Sequence, residues 1–335
     1  MIVDCIQKLV ERQDLSPLEA RSAMEAIMAG QVPDAQIASF LTALRMKGTI
    51  TDELVAFARV MREKAEPFWD GEVLAVADTC GTGGAKRSGA FNISTAAAFV
   101  VAGAGIRVAK HGNRSATRCG SADVMEALGI DIQIPVNRLR AAISEAGVAF
   151  LFAPRFHLSM KHVAAVRSQL KLQTVFNILG PLSNPAAARY QVVGVFSPNV
   201  QVMMAHTLDH LGVEHSFVVH GADGLDEISL TDRTYIKEMR RGELKTYAIS
   251  PEDFGMQPAA PEDLIGGNPA QNADIIEKVL RGERGPRRDV VLLNASAAIV
   301  ASGAAADIKE GIKVAANSID TGQALRRLNA LREWK

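Results

Sequence analysis

A chain of 335 residues is long enough for one large domain or two unequal ones, because single hydrophobic cores stop growing near roughly 250–300 residues; two lobes is the reading adopted. Hydrophobic residues at 48% and charged residues at 22% fit an ordinary globular protein, and aromatics at only 5% favour tight helix packing over a β-sandwich. Lys plus Arg (37) cancels Asp plus Glu (37), which excludes a global field able to hold nucleic acid or an anionic membrane, so any anion must be bound locally.

The first 66 residues read as three helices. Ser16-Pro17-Leu18-Glu19 is a capping box with proline at the first helical position, and Gly30 closes that helix. Asp34 is expected to cap the second, which ends at Gly48, and Thr51 the third, which stops before Pro67. Residues 68–71 read as a linker. Beyond it, short apolar runs at 73–77, 106–109, 148–152, 191–196 and 216–219 alternate with helices such as 95–104, the pattern of an α/β lobe with a mainly parallel central sheet. Residues 235–249, with Arg241-Gly242 at the middle, read as an exposed antiparallel hairpin. Cys5, Cys80 and Cys119 show no CxxC spacing, which argues against a disulfide framework or zinc site. No basic stretch precedes an apolar run at the N-terminus, and residues 96–104 are too short to span a bilayer, so the chain reads as soluble and cytoplasmic.

Three loops carry chemistry. Gly81-Thr82-Gly83-Gly84 lies between a predicted strand and a predicted helix, where backbone N–H groups can converge on an anion at the positive end of the helix. By itself such a turn is as often empty as occupied. Lys110-His111-Gly112-Asn113-Arg114-Ser115 follows the next strand, and Gly120-Ser121 opens the helix after it. In a parallel sheet these loops lie side by side, so Lys110, Arg114 and Arg118 offer cations, and Asn113 and Ser121 neutral hydrogen bonds, to one charged ligand. Asp226-Glu227 places adjacent carboxylates at another strand end, hard oxygen donors suited to magnesium, although such a pair alone is more often a solvated turn.

In their order, GTGG (81–84), FNIST (91–95), KHGNR (110–114), GSADVMEALG (120–129), VFNILGPLSNP (175–185) and HGADGLDEIS (220–229) resemble the motifs of the anthranilate phosphoribosyltransferase family over most of the chain. The resemblance implies a helical lobe of residues 1–66, joined by helices from about 160–185, an α/β lobe of residues 72–335, and a homodimer meeting through helical lobes. It implies transfer of phosphoribosyl from 5-phosphoribosyl 1-diphosphate to the amine of anthranilate, with release of pyrophosphate, in tryptophan biosynthesis. The diphosphate substrate would meet Gly81, Gly84, Asn92, Ile93, Ser94, Thr95, Lys110 and Ser121. Anthranilate would meet Gly81, Asn113, Arg167 and His157, and two Mg2+ ions would be held by Ser94, Asp226 and Glu227.

Lys110 and Asn113 are expected to act by positioning and electrostatics. An aromatic amine is neutral at pH 7, so no general base is assigned, and His111 is read as hydrogen-bonding within its loop. Two departures from the family pattern stand out: Ala85 replaces an acidic residue after the glycines, and the stretch 85–90 is one residue longer while 115–120 is one shorter. Two other readings are open, a pyrimidine nucleoside phosphorylase-like enzyme and a catalytically weak or inactive relative that binds nucleic acid; the zero net charge disfavours the second.

Overall fold

The computed structural model describes residues 1–83, 89–115 and 119–334. Four helices, α1 (Ile2–Val10), α2 (Pro17–Met28), α3 (Asp34–Lys47) and α4 (Thr51–Glu63), fill the first 66 residues, one more than the sequence suggests. The additional helix, α1, buries only Cys5 and Leu9, a four-residue spacing too short to stand out as a stripe. The capping box forms at α2: Ser16 Oγ accepts from the Glu19 N–H at 3.3 Å while Glu19 Oε2 accepts from the Ser16 N–H at 2.9 Å. Asp34 and Thr51 are not caps. Pro33 and Ile50 occupy those positions, and Asp34 and Thr51 sit one residue inside the helix.

Then follow β1 (Ala77–Gly81), α5 (Ile93–Gly103), β2 (Val108–Gly112), α6 (Ser121–Ala127), α7 (Val136–Glu145), β3 (Val148–Phe152), the short α8 (Ala153–Phe156), α9 (Lys161–Leu170), the short α10 (Phe176–Leu179), β4 (Tyr190–Gly194), α11 (Gln201–His210) and β5 (His215–Gly221). The chain ends with β6 (Thr234–Arg240), β7 (Glu243–Ile249), α12 (Pro269–Leu280), α13 (Pro286–Ala301), α14 (Ile308–Asp320) and α15 (Gln323–Arg332). β1 starts four residues later than the apolar run 73–77 implies. It carries Asp78, Thr79 and Cys80, all buried, and polar residues that find partners inside are invisible to a hydropathy reading.

One seven-stranded sheet runs in the order β3-β2-β1-β4-β5-β6-β7. The first five strands are parallel, and β6 and β7 are antiparallel. The predicted hairpin exists, turning at Arg241 and Gly242, both with positive φ, but its first strand pairs with β5 and so extends the main sheet. From β1 the chain winds outward through β2 and β3, then crosses to β4 on the other side. β1 and β4 therefore flank the point where the strand order reverses, the place at which parallel sheets bind ligands.

Two apolar clusters flank this sheet. One surrounds the largely buried α5 with α13, α14 and α15, including Phe99, Val291 and Leu328. The other packs α1–α4 with Val163 and Val166 of α9, Phe176 and Leu179 of α10, Leu208 of α11, and Val193 and Val218 of the sheet. No helix among the described residues is long and apolar enough to cross a membrane.

Candidate active site

The carboxyl ends of β1 and β4 are drawn together by Thr82, whose N–H donates to Gly194 O at 2.8 Å and whose Oγ1 accepts from the Phe196 N–H at 3.1 Å. The loop after β5 lies across them. A Cβ built at Gly194 would stand 1.6 Å from Asp226 O, and one at Gly81 would stand 3.0 Å from Asp226 Oδ2, so both strand ends are glycine because the carboxylate loop rests on their backbone. Asp226 Oδ2 accepts from the Gly83 N–H at 3.0 Å, and Glu227 Oε1 from the Ser94 N–H at 3.3 Å in the first turn of α5. Asn294 of α13, which sequence patterning did not single out, brackets Ile228 with two 2.8 Å bonds and locks this loop.

Lys110 lies beneath the carboxylates, buried, donating to Thr79 O and to Ser94 Oγ at 3.3 Å. Asp78 is buried beside it. Its Oδ1 accepts from the His111 N–H at 3.2 Å, and its Oδ2 from Asn184 Nδ2 at 2.8 Å. Burial raises Asp78 and lowers Lys110, their mutual attraction opposing both shifts, and Glu227 also supports the lysine charge. Burial, followed by the Asp226 charge, pushes Glu227 up to about 8, while burial also raises Asp226. Such a pair calls for a cation. Among the described residues no group of three His, Cys, Asp or Glu could hold a metal alone, so Asp226, Glu227 and the Ser94 hydroxyl fit a hard cation that completes its shell from phosphate and water.

Asn92 is held at both ends of its amide, donating to Cys119 O at 3.2 Å and accepting from Asn272 Nδ2 at 2.9 Å. Ile93 and Thr95 are buried, and the Thr95 hydroxyl has no partner among the described residues. Ser121 Oγ donates to Asn113 O at 3.4 Å. Gly84 and Ala85 lie outside the described residues, as do the altered loop stretches in part and Arg118. Arg114 is no spare cation: Asp123 and Glu126 engage it at 3.0 and 2.6 Å.

Adjoining the carboxylates is a cavity of about 770 Å³, lined among others by Cys80, Gly81, Asn113, His157, Arg167 and Phe176. Its size and apolar wall suit an aromatic ring. The Arg167 guanidinium stands 5.3 Å from the Phe176 ring centre, and burial lowers its pKa, which favours an anionic partner. His111 and His157 stack edge-on, 5.2 Å between centres. Burial drives His111 down to about 3, with the His157 charge adding to it, and burial alone drives His157 down to about 4. Both imidazoles are neutral at pH 7. The His111 side chain makes no hydrogen bond of good geometry through Nε2, nor His157 through either ring nitrogen, among the described residues.

Residues 74–325 match the α/β domain of a glycosyl transferase family, and residues 3–65 match its helical bundle domain. The chain is 52% identical to an anthranilate phosphoribosyltransferase of Pelotomaculum thermopropionicum over 100% of this chain and 96% of that protein. It is 51% identical to that of Symbiobacterium thermophilum over 98% and 96%. Its fold is similar to the crystal structure of anthranilate phosphoribosyltransferase from Thermus thermophilus, with a TM-score of 0.91 and 42% identity over 99% of both chains. It is also similar to the Saccharomyces cerevisiae enzyme in complex with PRPP and Mg, with a TM-score of 0.90 and 28% identity over 98% of this chain and 96% of that one.

Proposed function

The chain belongs to the anthranilate phosphoribosyltransferases, and from that membership we propose how its own residues divide the reaction. The enzyme is a phosphoribosyltransferase of the glycosyl transferase type, acting in tryptophan biosynthesis and using Mg2+. In the transfer a C–N bond forms between the ribosyl anomeric carbon and the anthranilate amine. The C–O bond to pyrophosphate breaks, and pyrophosphate leaves with the electron pair.

The observation that carries the division is the seating of Asp226 across Gly81 and Gly194, which puts a carboxylate loop, a helix N-terminus and an aromatic-sized cavity around one point. Phosphoribosyl diphosphate is assigned to Gly81, Gly84, Asn92, Ile93, Ser94, Thr95, Lys110 and Ser121, with its diphosphate toward the Gly83 and Ser94 backbone. Ser94, Asp226 and Glu227 would hold the metal, two ions per chain. Bound there, magnesium supplies charge neutralisation on the departing diphosphate. Lys110 adds a fixed positive charge beneath it, screened from water.

Anthranilate is assigned to the cavity, its carboxylate on Arg167, its ring against Gly81 and His157, and its amine side near Asn113. Asn113 and Lys110 contribute by positioning and electrostatics. The amine attacks uncharged and sheds its proton afterwards, so neither neutral histidine is needed as a base. We further assign residues 1–66 with about 160–185 to a helical lobe and the remainder to the α/β lobe, and read the enzyme as a cytoplasmic homodimer meeting through helical lobes.

The test is the loss of anthranilate fluorescence on adding phosphoribosyl diphosphate, with and without Mg2+. Turnover that disappears with chelator and with Asp226→Asn/Glu227→Gln supports the assignment. Undiminished turnover in either case refutes it.

A further inference from the structure

Asn272 lies in the first turns of α12, buried at 3% exposure and outside the residues assigned above. Asparagine is a poor helix former because its amide competes for backbone groups, so a buried one has to be wired to something. Here the wiring has a direction. The Gly267 N–H donates to Asn272 Oδ1 at 2.7 Å, Asn272 Nδ2 donates to Asn92 Oδ1 at 2.9 Å, and Asn92 Nδ2 donates to Cys119 O at 3.2 Å. Both ends of this relay are backbone groups, one that can only donate and one that can only accept. The orientation of each amide between them follows without ambiguity.

The relay joins three segments. Residues 264–267 are pinned to the stretch behind the glycine cradle by Gly266 N–H to Gly89 O at 2.7 Å and Phe91 N–H to Leu264 O at 3.0 Å, with Ala90 bridging Ile265. A Cβ at Gly266 would come within 2.5 Å of Asn272 Oδ1 and 2.8 Å of Phe91 Cα, so these segments are in direct contact. Cys119 and Gly120 close the second phosphate loop, Gly120 standing at the N-cap of α6. Asn92 thus spans the two loops on either side of the diphosphate, and its own amide is occupied at both ends by protein.

We propose that Asn272 is a positioning residue for phosphoribosyl diphosphate, acting through Asn92 to hold the Gly89–Asn92 and Cys119–Ser121 segments at the separation the diphosphate needs. The inference rests on the substrate assignment above. An aspartate at 272 keeps the bond from Gly267 but presents an oxygen to Asn92 Oδ1; if Asn92 turns over to avoid it, its own oxygen meets Cys119 O. Either way one acceptor faces another, at an interface where a mismatched buried group costs on the order of ten-fold or more in an equilibrium.

The experiment is a double-mutant cycle of Asn272→Ala and Asn92→Ala, with Asn272→Asp as a second variant. It reads the Michaelis constants for both substrates, kcat, calorimetric binding of phosphoribosyl diphosphate with Mg2+, and thermal stability. Expected is a rise of about ten-fold in the constant for phosphoribosyl diphosphate in each single variant, with the constant for anthranilate held within about two-fold. The double variant should be no worse than Asn92→Ala alone, since a residue acting through another has nothing left to lose. Multiplicative effects, or equal changes in both constants that follow the loss of thermal stability, overturn the proposal. Wild-type enzyme that fails to bind phosphoribosyl diphosphate would instead overturn the substrate assignment, and this inference with it.

Discussion

Replacing Asp78 by asparagine is a change of almost no volume at a wholly buried position, so its cost is set by hydrogen-bond polarity and charge alone. Asp78 accepts from two donors that cannot reverse. One is the His111 backbone N–H; the other is Asn184 Nδ2, whose amide is fixed because Asn184 Oδ1 accepts from the Ala186 N–H at 2.9 Å and Nδ2 also donates to Ala109 O at 2.9 Å. An asparagine at 78 must turn its NH2 toward one of them. The stranded donor is worth about 1–3 kcal/mol, and Lys110 loses its nearest buried counter-charge as well. Taking about 3 kcal/mol for the two together, at about 1.4 kcal/mol per factor of ten, kcat/KM for phosphoribosyl diphosphate should fall on the order of 100-fold. Initial rates from anthranilate fluorescence at varied phosphoribosyl diphosphate measure it. A folded Asp78→Asn enzyme within about three-fold of wild type would show that neither the polarity nor the charge of this carboxylate reaches the site.

Arg167→Ala should raise the Michaelis constant for anthranilate by ten-fold or so, the scale of a lost charge-assisted hydrogen bond, and leave that for phosphoribosyl diphosphate unchanged; the reverse split would reject the placement of the two substrates. Gly194→Ala forces a methyl into the Asp226 backbone at 1.6 Å, so Mg2+-dependent turnover should fall by about 100-fold or more with the sheet intact by circular dichroism, and normal activity would contradict the seating of that loop. His111 and His157 have folded-state pKa values of about 3 and about 4, below the unfolded value of 6.5. The native state then binds fewer protons than the unfolded one. Their contribution is complete above 6.5 and is lost as the pH falls through that window, at roughly 1.4 kcal/mol per unit for each residue. Thermal melts from pH 7 to 4 should show a shallower acid limb in His111→Asn/His157→Asn than in wild type, and parallel limbs would refute the buried neutral state.

Much of the site is legible in sequence because its parts are local. Glycines that free the backbone, a lysine and asparagine directly after a strand, and adjacent carboxylates in a loop each act within a few residues. Their order along the chain is specific enough to indicate the family, which sequence comparison then establishes. The helix signals behave unequally for the same reason. Ser16 and Glu19 cap α2 through each other, whereas Asp34 and Thr51 have the right chemistry one residue too late, because Pro33 and Ile50 already take the cap positions.

What tertiary structure alone decides is where polar groups find partners distant in sequence. Asp78 meets Asn184, Asn92 meets Asn272, and the Asp226 loop lies on Gly194, contacts that leave no periodic trace in either segment. The same cause carries β1 through Asp78-Thr79-Cys80, beyond the apolar run 73–77, and assigns Arg114 to Asp123 and Glu126 rather than to a ligand. Sequence by itself determined which groups this enzyme has for its chemistry. Only the crossing of the chain from β3 to β4 decided that they face one another, because the crevice between β1 and β4 exists in the order of the sheet and in no local run of residues.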